Sequence, residues 1–309
     1  MVLSSRKGVS ILESAPASQQ KAAASDQHQQ YSPPPLPEAP LVIIQPSPSW
    51  VGLGLRDLWS YRELLLFLIW RDLKVRYKQT VFGVLWVVMQ PLLMTVVFTV
   101  FLGKLAQIPS NNIPYALLVL SGLLPWTFLS SAITGSSNSL VGNAHLITKV
   151  YFPRMIIPIA AVAARLVDFA ISFIILAAMM IYYGVGLTSK ITLLPLLILL
   201  ITALALSIGM ITSALNVKYR DVGVAIPVLI QLWMFASPIV YPLELVPERW
   251  QNLYSLNPLA GIIMGFRASL LGTEIYWNAL AISAIVTVCL LIYSAYAFRR
   301  MEKNFADIV

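Results

Sequence analysis

The side chains able to engage a ligand are few, and most of them are cations. Arg71, Lys74 and Lys78 recur at helical spacing, and Lys149 and Arg154 stand close together in a later loop. A guanidinium offers a planar fork and an ammonium a point charge, the two groups suited to phosphate and carboxylate oxygens. Arg165 and Asp168 lie three apart inside an apolar run. Either ion alone costs about 2.5–3.5 kcal/mol near a bilayer centre, so the spacing points to mutual neutralisation. The run holding them is about 42 Å of helix, long enough for its first turns to leave the hydrocarbon. A brace at the inner mouth is therefore preferred to direct ligand contact.

Catalytic sets are missing. His28 sits in a polar tail, His145 is isolated, and the single cysteine, Cys289, lies in an apolar run, which leaves no disulfide framework and no Cys/His metal site. Gly103-Lys104 is followed by Leu105, where a phosphate-cradling loop needs Ser or Thr. No G-x-S-x-G or H-E-x-x-H occurs either. An embedded enzyme would need a base or nucleophile in a protected cavity, and the outer side offers only Glu244, Glu248 and Glu274 as acids.

The elements that must carry the cations begin with Tyr61 to Met94. Leu66, Trp70, Leu73 and Tyr77 share one helical face, with Arg71, Lys74 and Lys78 beside it. Such a helix lies on a membrane surface, each cation contributing about 1 kcal/mol near anionic lipid. From Thr80 to Leu102 the chain is apolar apart from Gln90, about 33 Å of helix, so the surface helix leads into a span. With 58% hydrophobic and 11% charged residues, a soluble domain is excluded. The net charge of +8 sits beside apolar runs, which argues against nucleic acid.

Length and apolarity predict six spans: Thr80 to Leu102, Tyr115 to Thr134, Ile156 to Tyr183, Ile191 to Leu215, Val222 to Tyr241 and Ala279 to Phe298. Alternate loops are rich in Lys and Arg, which places both termini in the cytoplasm. Between spans five and six, Asn257-Pro258 breaks the chain and Leu259 to Leu271 is too short to cross. Gly261 and Gly265 in that run form a close-approach motif. The expected fold is an all-α membrane protein with six transmembrane helices per subunit, an N-terminal amphipathic interface helix and re-entrant helices between spans five and six on the outer side. Residues 1–49 form a Pro-, Gln- and Ser-rich cytoplasmic tail expected to be disordered, 50–79 the surface-helix region and 80–309 the transmembrane domain. No signal peptide is expected.

Arg71-Asp72-Leu73-Lys74-Val75-Arg76-Tyr77-Lys78-Gln79-Thr80, followed by Gly83, Trp86 and Gln90-Pro91, resembles the approach to the first span of ABC-2 type permeases that export lipid-linked polysaccharides. Similar stretches follow in order: Gly122-Leu123-Leu124-Pro125-Trp126, Leu146 to Arg154, Asn216 to Asp221, Asn257-Pro258 with Gly265-Phe266-Arg267, and Glu302 with Phe305-Ala306-Asp307. The resemblance implies a homodimer in a bacterial inner membrane, working with two copies of a separate ABC ATPase that binds ATP and Mg2+; this chain itself needs no cofactor. It implies as cargo a polysaccharide on undecaprenyl diphosphate, of O-antigen type, with teichoic acid or capsular polysaccharide as alternatives and a glycan-modifying enzyme as the rival from another class. On this reading Arg71, Lys74, Lys78, Lys149 and Arg154 are available to the diphosphate. Phe82, Trp86, Phe98, Trp126, Phe128, Trp233 and Tyr241 offer rings for sugar C–H faces, although Trp126, Trp233 and Tyr241 also suit an interfacial belt. Tyr61, Arg62, Glu63, Asn143 and His145 are the candidates for receiving the ATPase's motion.

Overall fold

Inside a bilayer every backbone donor and acceptor must be satisfied within its own segment, which leaves a sequence this apolar only the helix or the closed barrel. In the computed structural model all regular structure is helical among the described residues, which are 55–78, 83–110, 113–186, 188–303 and 305. The tail of residues 1–49 and the link 79–82 lie outside them. The helices are α1 (Leu55–Ser60), α2 (Arg62–Lys78), α3 (Gly83–Phe98, extended by a π-helical Thr99–Leu105), α4 (Tyr115–Gly142), α5 (Ala144–Lys149) and α6 (Ile156–Tyr182). Then come α7 (Leu194–Lys218), α8 (Val222–Phe235), α9 (Glu248–Ser255), α10 (Pro258–Leu271) and α11 (Trp277–Glu302).

Five helical stretches among the described residues are long and apolar enough to cross a membrane: Leu85–Leu105, Tyr115–Gly142, Ile156–Tyr182, Ser189–Lys218 and Trp277–Glu302. The stretch read as a fifth span, Val222 to Tyr241, is helical only as far as Phe235 and continues as turns. Pro238 and Pro242 supply the reason, since proline biases the residue before it away from helix.

α4 is the axis of the bundle. It is buried from Leu117 to Leu129 on nearly every face, with α6, α7 and α10 packed around it. α10 is buried from Leu259 to Leu270 between α4, α7 and α11. The glycine pair predicted to allow close approach does so. A Cβ on Gly261 would stand 2.3 Å from the Ala279 carbonyl oxygen of α11, and one on Gly265 would stand 2.7 Å from a Leu197 methyl of α7. A second apolar cluster gathers Leu68, Ile147, Phe152, Met210, Phe298 and Phe305. It seats α2 and α5 against the N-terminal end of α6 and the C-terminal ends of α7 and α11.

The turn from α7 to α8 is tied to α4 by one amide. Asn216 donates to the Ser137 carbonyl at 2.9 Å and to Asn138 Oδ1 at 3.2 Å, and accepts from the Gly223 amide at 3.0 Å. Asn216→Ala is expected to cost about 1–3 kcal/mol by stranding buried partners, read as a lower unfolding temperature of the purified chain in detergent.

Candidate functional site

Two cavities of similar size meet at a pair of arginines. The first, about 620 Å³, runs between α3, α4, α6 and α8. Trp86 and Phe98 of α3, Trp126 and Phe128 of α4, and Phe169 of α6 supply rings, while Thr127, Ser130, Ser131, Thr134 and Ser172 supply hydroxyls. The rings are fixed by packing: Phe128 stacks on Phe169 at 4.9 Å between centroids, and Trp126 meets Trp233 edge-on at 6.4 Å. The second cavity, about 600 Å³, is polar and lies between α2, the C-terminal end of α4 and α6, with Arg71, Asp72, Asn138, Ser139 and Asn143 in its lining. Arg76 and Arg165 line both.

These two arginines are held by Asp168. Its carboxylate accepts hydrogen bonds from the Arg76 guanidinium and the Tyr77 hydroxyl of α2, while Arg165 approaches to 3.6 Å. Burial, and then the bond to Asp168, push the Tyr77 hydroxyl well above its ordinary range, so it stays a donor at neutral pH. Asp168 lies roughly 18 Å along α6 from Ile156, so the end of α2 reaches well into the bundle. The pairing of Arg165 with Asp168 expected from their spacing is present. The contributions of Arg76 and Tyr77 were missed, because partners 92 and 91 residues away leave no periodic signal.

The other candidate cations are dispersed. Arg71 is bound to Asp72 at 2.8 Å on the wall of the polar cavity. Lys74, Lys78 and Lys149 are exposed and line neither cavity. Arg154 anchors the end of α11, its amide donating to Glu302 Oε1 at 2.8 Å and its guanidinium to the Glu302 carbonyl at 2.6 Å. The apolar face read for α2 also divides: Leu66 and Trp70 are exposed together with Phe67, while Tyr77 turns toward α6 and Leu68 is the residue that enters the core. α2 is apolar on two faces, and periodicity alone could not rank them.

Four of the seven aromatic candidates, Trp86, Phe98, Trp126 and Phe128, line the first cavity. Phe82 lies outside the described residues. Trp233 stands behind Trp126 and donates to Asn257 Oδ1 at 3.0 Å, and Tyr241 donates to the Phe235 carbonyl at 3.0 Å. Of the coupling candidates, Tyr61 packs on the cluster that holds Ile147, Asn143 donates to the Ser139 carbonyl at 2.7 Å, and Arg62, Glu63 and His145 are exposed.

At the opposite end of α4 the turn after α8 is gripped from several directions. Asn257 caps α10 by accepting from the Leu259 amide at 3.1 Å, and donates to the Ala236 carbonyl at 3.2 Å and to Ser237 Oγ at 2.8 Å. Arg267, 7% exposed, donates to the Ile239 carbonyl at 2.6 Å and the Tyr241 carbonyl at 3.1 Å. Tyr115 donates to the Val240 carbonyl at 2.8 Å, and Gly122 leaves room for Ile239, whose oxygen would stand 2.4 Å from a Cβ there. Three separated sequence stretches, around Gly122, Asn257 and Arg267, thus converge on one turn.

Comparison with known proteins bears on this arrangement. The sequence model of the ABC-2 type transporter family matches residues 63–271. The O-antigen export system permease protein RfbA of Klebsiella pneumoniae is 31% identical over 251 residues, covering 80% of this chain and 95% of that protein. RfbA of Myxococcus xanthus is 29% identical over 82% of this chain and 98% of its own length. The polysialic acid transport protein KpsM of Escherichia coli is 23% identical over 71% of this chain and 86% of its own. The matched span carries the arginine network, both cavities and the gripped turn, and the chain belongs to the ABC-2 type transporter family.

Proposed function

We propose that this chain is the transmembrane subunit of an ATP-driven exporter that moves a lipid-linked polysaccharide, of O-antigen type, across a bacterial inner membrane. The observation that carries the reading is the cavity walled by Trp86, Phe98, Trp126, Phe128 and Phe169 with serine and threonine hydroxyls between the rings. Rings stack on sugar C–H faces without selecting a sequence, and hydroxyls exchange bonds with sugar hydroxyls, so a chain of repeating sugars can slide. The RfbA relatives, similar over four-fifths of this chain, support the same cargo class.

On this reading the working unit is a homodimer with two ATPase subunits, and ATP and Mg2+ bind to those subunits. α3 and α8 flank the cavity and leave Leu93, Met94 and Val97, and Val228, Leu229 and Leu232, exposed; these faces suit a second copy that would close the path. α8 with its gripped turn serves as the fifth of six spans, α10 as a re-entrant helix at the outer side, and α2 as the interface helix, with Leu66, Phe67 and Trp70 toward lipid and both termini cytoplasmic. A capsular cargo is the second reading, favoured by the KpsM similarity.

The purified chain alone is expected to hydrolyse no ATP above a detergent blank. Reconstituted with a separate ABC ATPase, it should support hydrolysis that rises when a polyprenyl-diphosphate glycan is added, and comparing O-antigen with capsular glycolipids separates the two cargo readings. Hydrolysis by the chain alone, or a complex indifferent to every glycolipid, would overturn the assignment.

A further inference from the structure

We infer that Arg76 and Arg165 form a phosphate-binding pair, which an oxyanion arriving through the polar cavity takes over from Asp168. The deeper identification, a diphosphate headgroup, rests on the export reading above; the binding of phosphate does not.

Charge and placement carry the inference. The polar cavity is lined by three guanidiniums, Arg71, Arg76 and Arg165, and by one carboxylate, Asp72, which Arg71 already holds at 2.8 Å. Asp168 faces the aromatic cavity and does not line the polar one, so Arg76 and Arg165 stand between their carboxylate and a polar space roomy enough to admit an anion. Positive charge in that space is in surplus. Arg165 is also incompletely used: its Nε is buried without a hydrogen-bond partner, and its contact with Asp168, at 3.6 Å, is too long for a hydrogen bond. Gly135 makes room for this guanidinium, whose Nη2 would lie 3.3 Å from a Cβ placed there. Two guanidinium forks from different helices match the several acceptor oxygens of a phosphate better than the two of a shared carboxylate.

The consequence is a contact that cargo can exchange. Arg76 and Tyr77 of α2 both bond Asp168 of α6, so an oxyanion drawing Arg76 away weakens that tie between the two helices. The site is thereby placed at the junction between the polar cavity and the aromatic one.

The test is binding of inorganic pyrophosphate to the purified full-length chain in detergent, followed by calorimetry or 31P line broadening. A second arm uses the chain in phosphatidylcholine nanodiscs doped with a polyprenyl diphosphate. Arg165→Gln should weaken binding roughly ten-fold or more. Asp168→Asn removes the competitor and should tighten binding several-fold, a gain that a merely structural Asp168 cannot give. Lys74→Gln and Lys78→Gln should change it less than about two-fold, as expected of exposed cations. Binding of pyrophosphate with these signs supports a site for phosphate from any source, and binding in the nanodisc arm alone supports a site needing the prenyl chain as well. The inference is overturned if neither probe binds, if Asp168→Asn weakens binding as Arg165→Gln does, or if Lys74 and Lys78 carry the effect. Neither arm contains ATP or ATPase, so binding retained in a complex that moves no glycan counts against the export reading alone.

Discussion

Arg267→Leu is expected to destabilise the purified chain by about 3 kcal/mol or more, the largest structural loss anticipated, because at least two charge-assisted bonds of roughly 1.5–3 kcal/mol each disappear together. Their acceptors are the backbone carbonyls of Ile239 and Tyr241, which no side-chain change can remove. In an apolar surrounding those carbonyls then lack donors, and the turn that ends α8 loses its link to α10. Arg267→Lys should recover only part of the loss, since a single ammonium replaces a fork whose two nitrogens reach different carbonyls. Thermal unfolding in detergent, followed by the fraction remaining monodisperse, gives the ranking. Equal stability of the leucine, lysine and native chains would show that the turn holds itself.

Gly261→Ala is the second change expected to be severe, and the useful comparison is with Gly265→Ala four residues on. At Gly261 the new methyl would meet the Ala279 carbonyl oxygen at 2.3 Å and its carbon at 2.6 Å, both backbone, so α10 and α11 must separate. At Gly265 the obstacle is the end of the Leu197 side chain, which can rotate aside. Overpacking costs about 1–3 kcal/mol, and backbone against backbone belongs at the top of that range or above it. Gly261→Ala should therefore lower the unfolding temperature clearly more than Gly265→Ala. The reverse order, from the same measurement, would mean that α10 can move as a unit.

What the sequence by itself determined is whatever rests on local periodicity and composition. Long apolar runs imposed helix because a bilayer admits no unsatisfied backbone, and α4, α6, α7 and α11 lie where those runs lie. Gly261 and Gly265 announced a close approach, and Arg165 and Asp168, three apart on one helix, announced a contact. The resemblance of short motifs carried the family. What only the tertiary structure decided is which side chains from different helices meet. Lys78, on one stripe with Arg71 and Lys74, read as a ligand candidate and Arg76 did not, yet Arg76 reaches Asp168 while Lys78 is exposed, a difference set by the rotation of α2 against α6. Arg154 read as available to a ligand, and proves to be bound to the end of α11. Val222 to Tyr241 read as one span, and ends as helix at Phe235, where a turn takes its hydrogen-bond partners from α4 and α10. Each of these contacts joins residues far apart in the chain. Their geometry follows from packing several apolar helices at once, and no spacing along one helix encodes it.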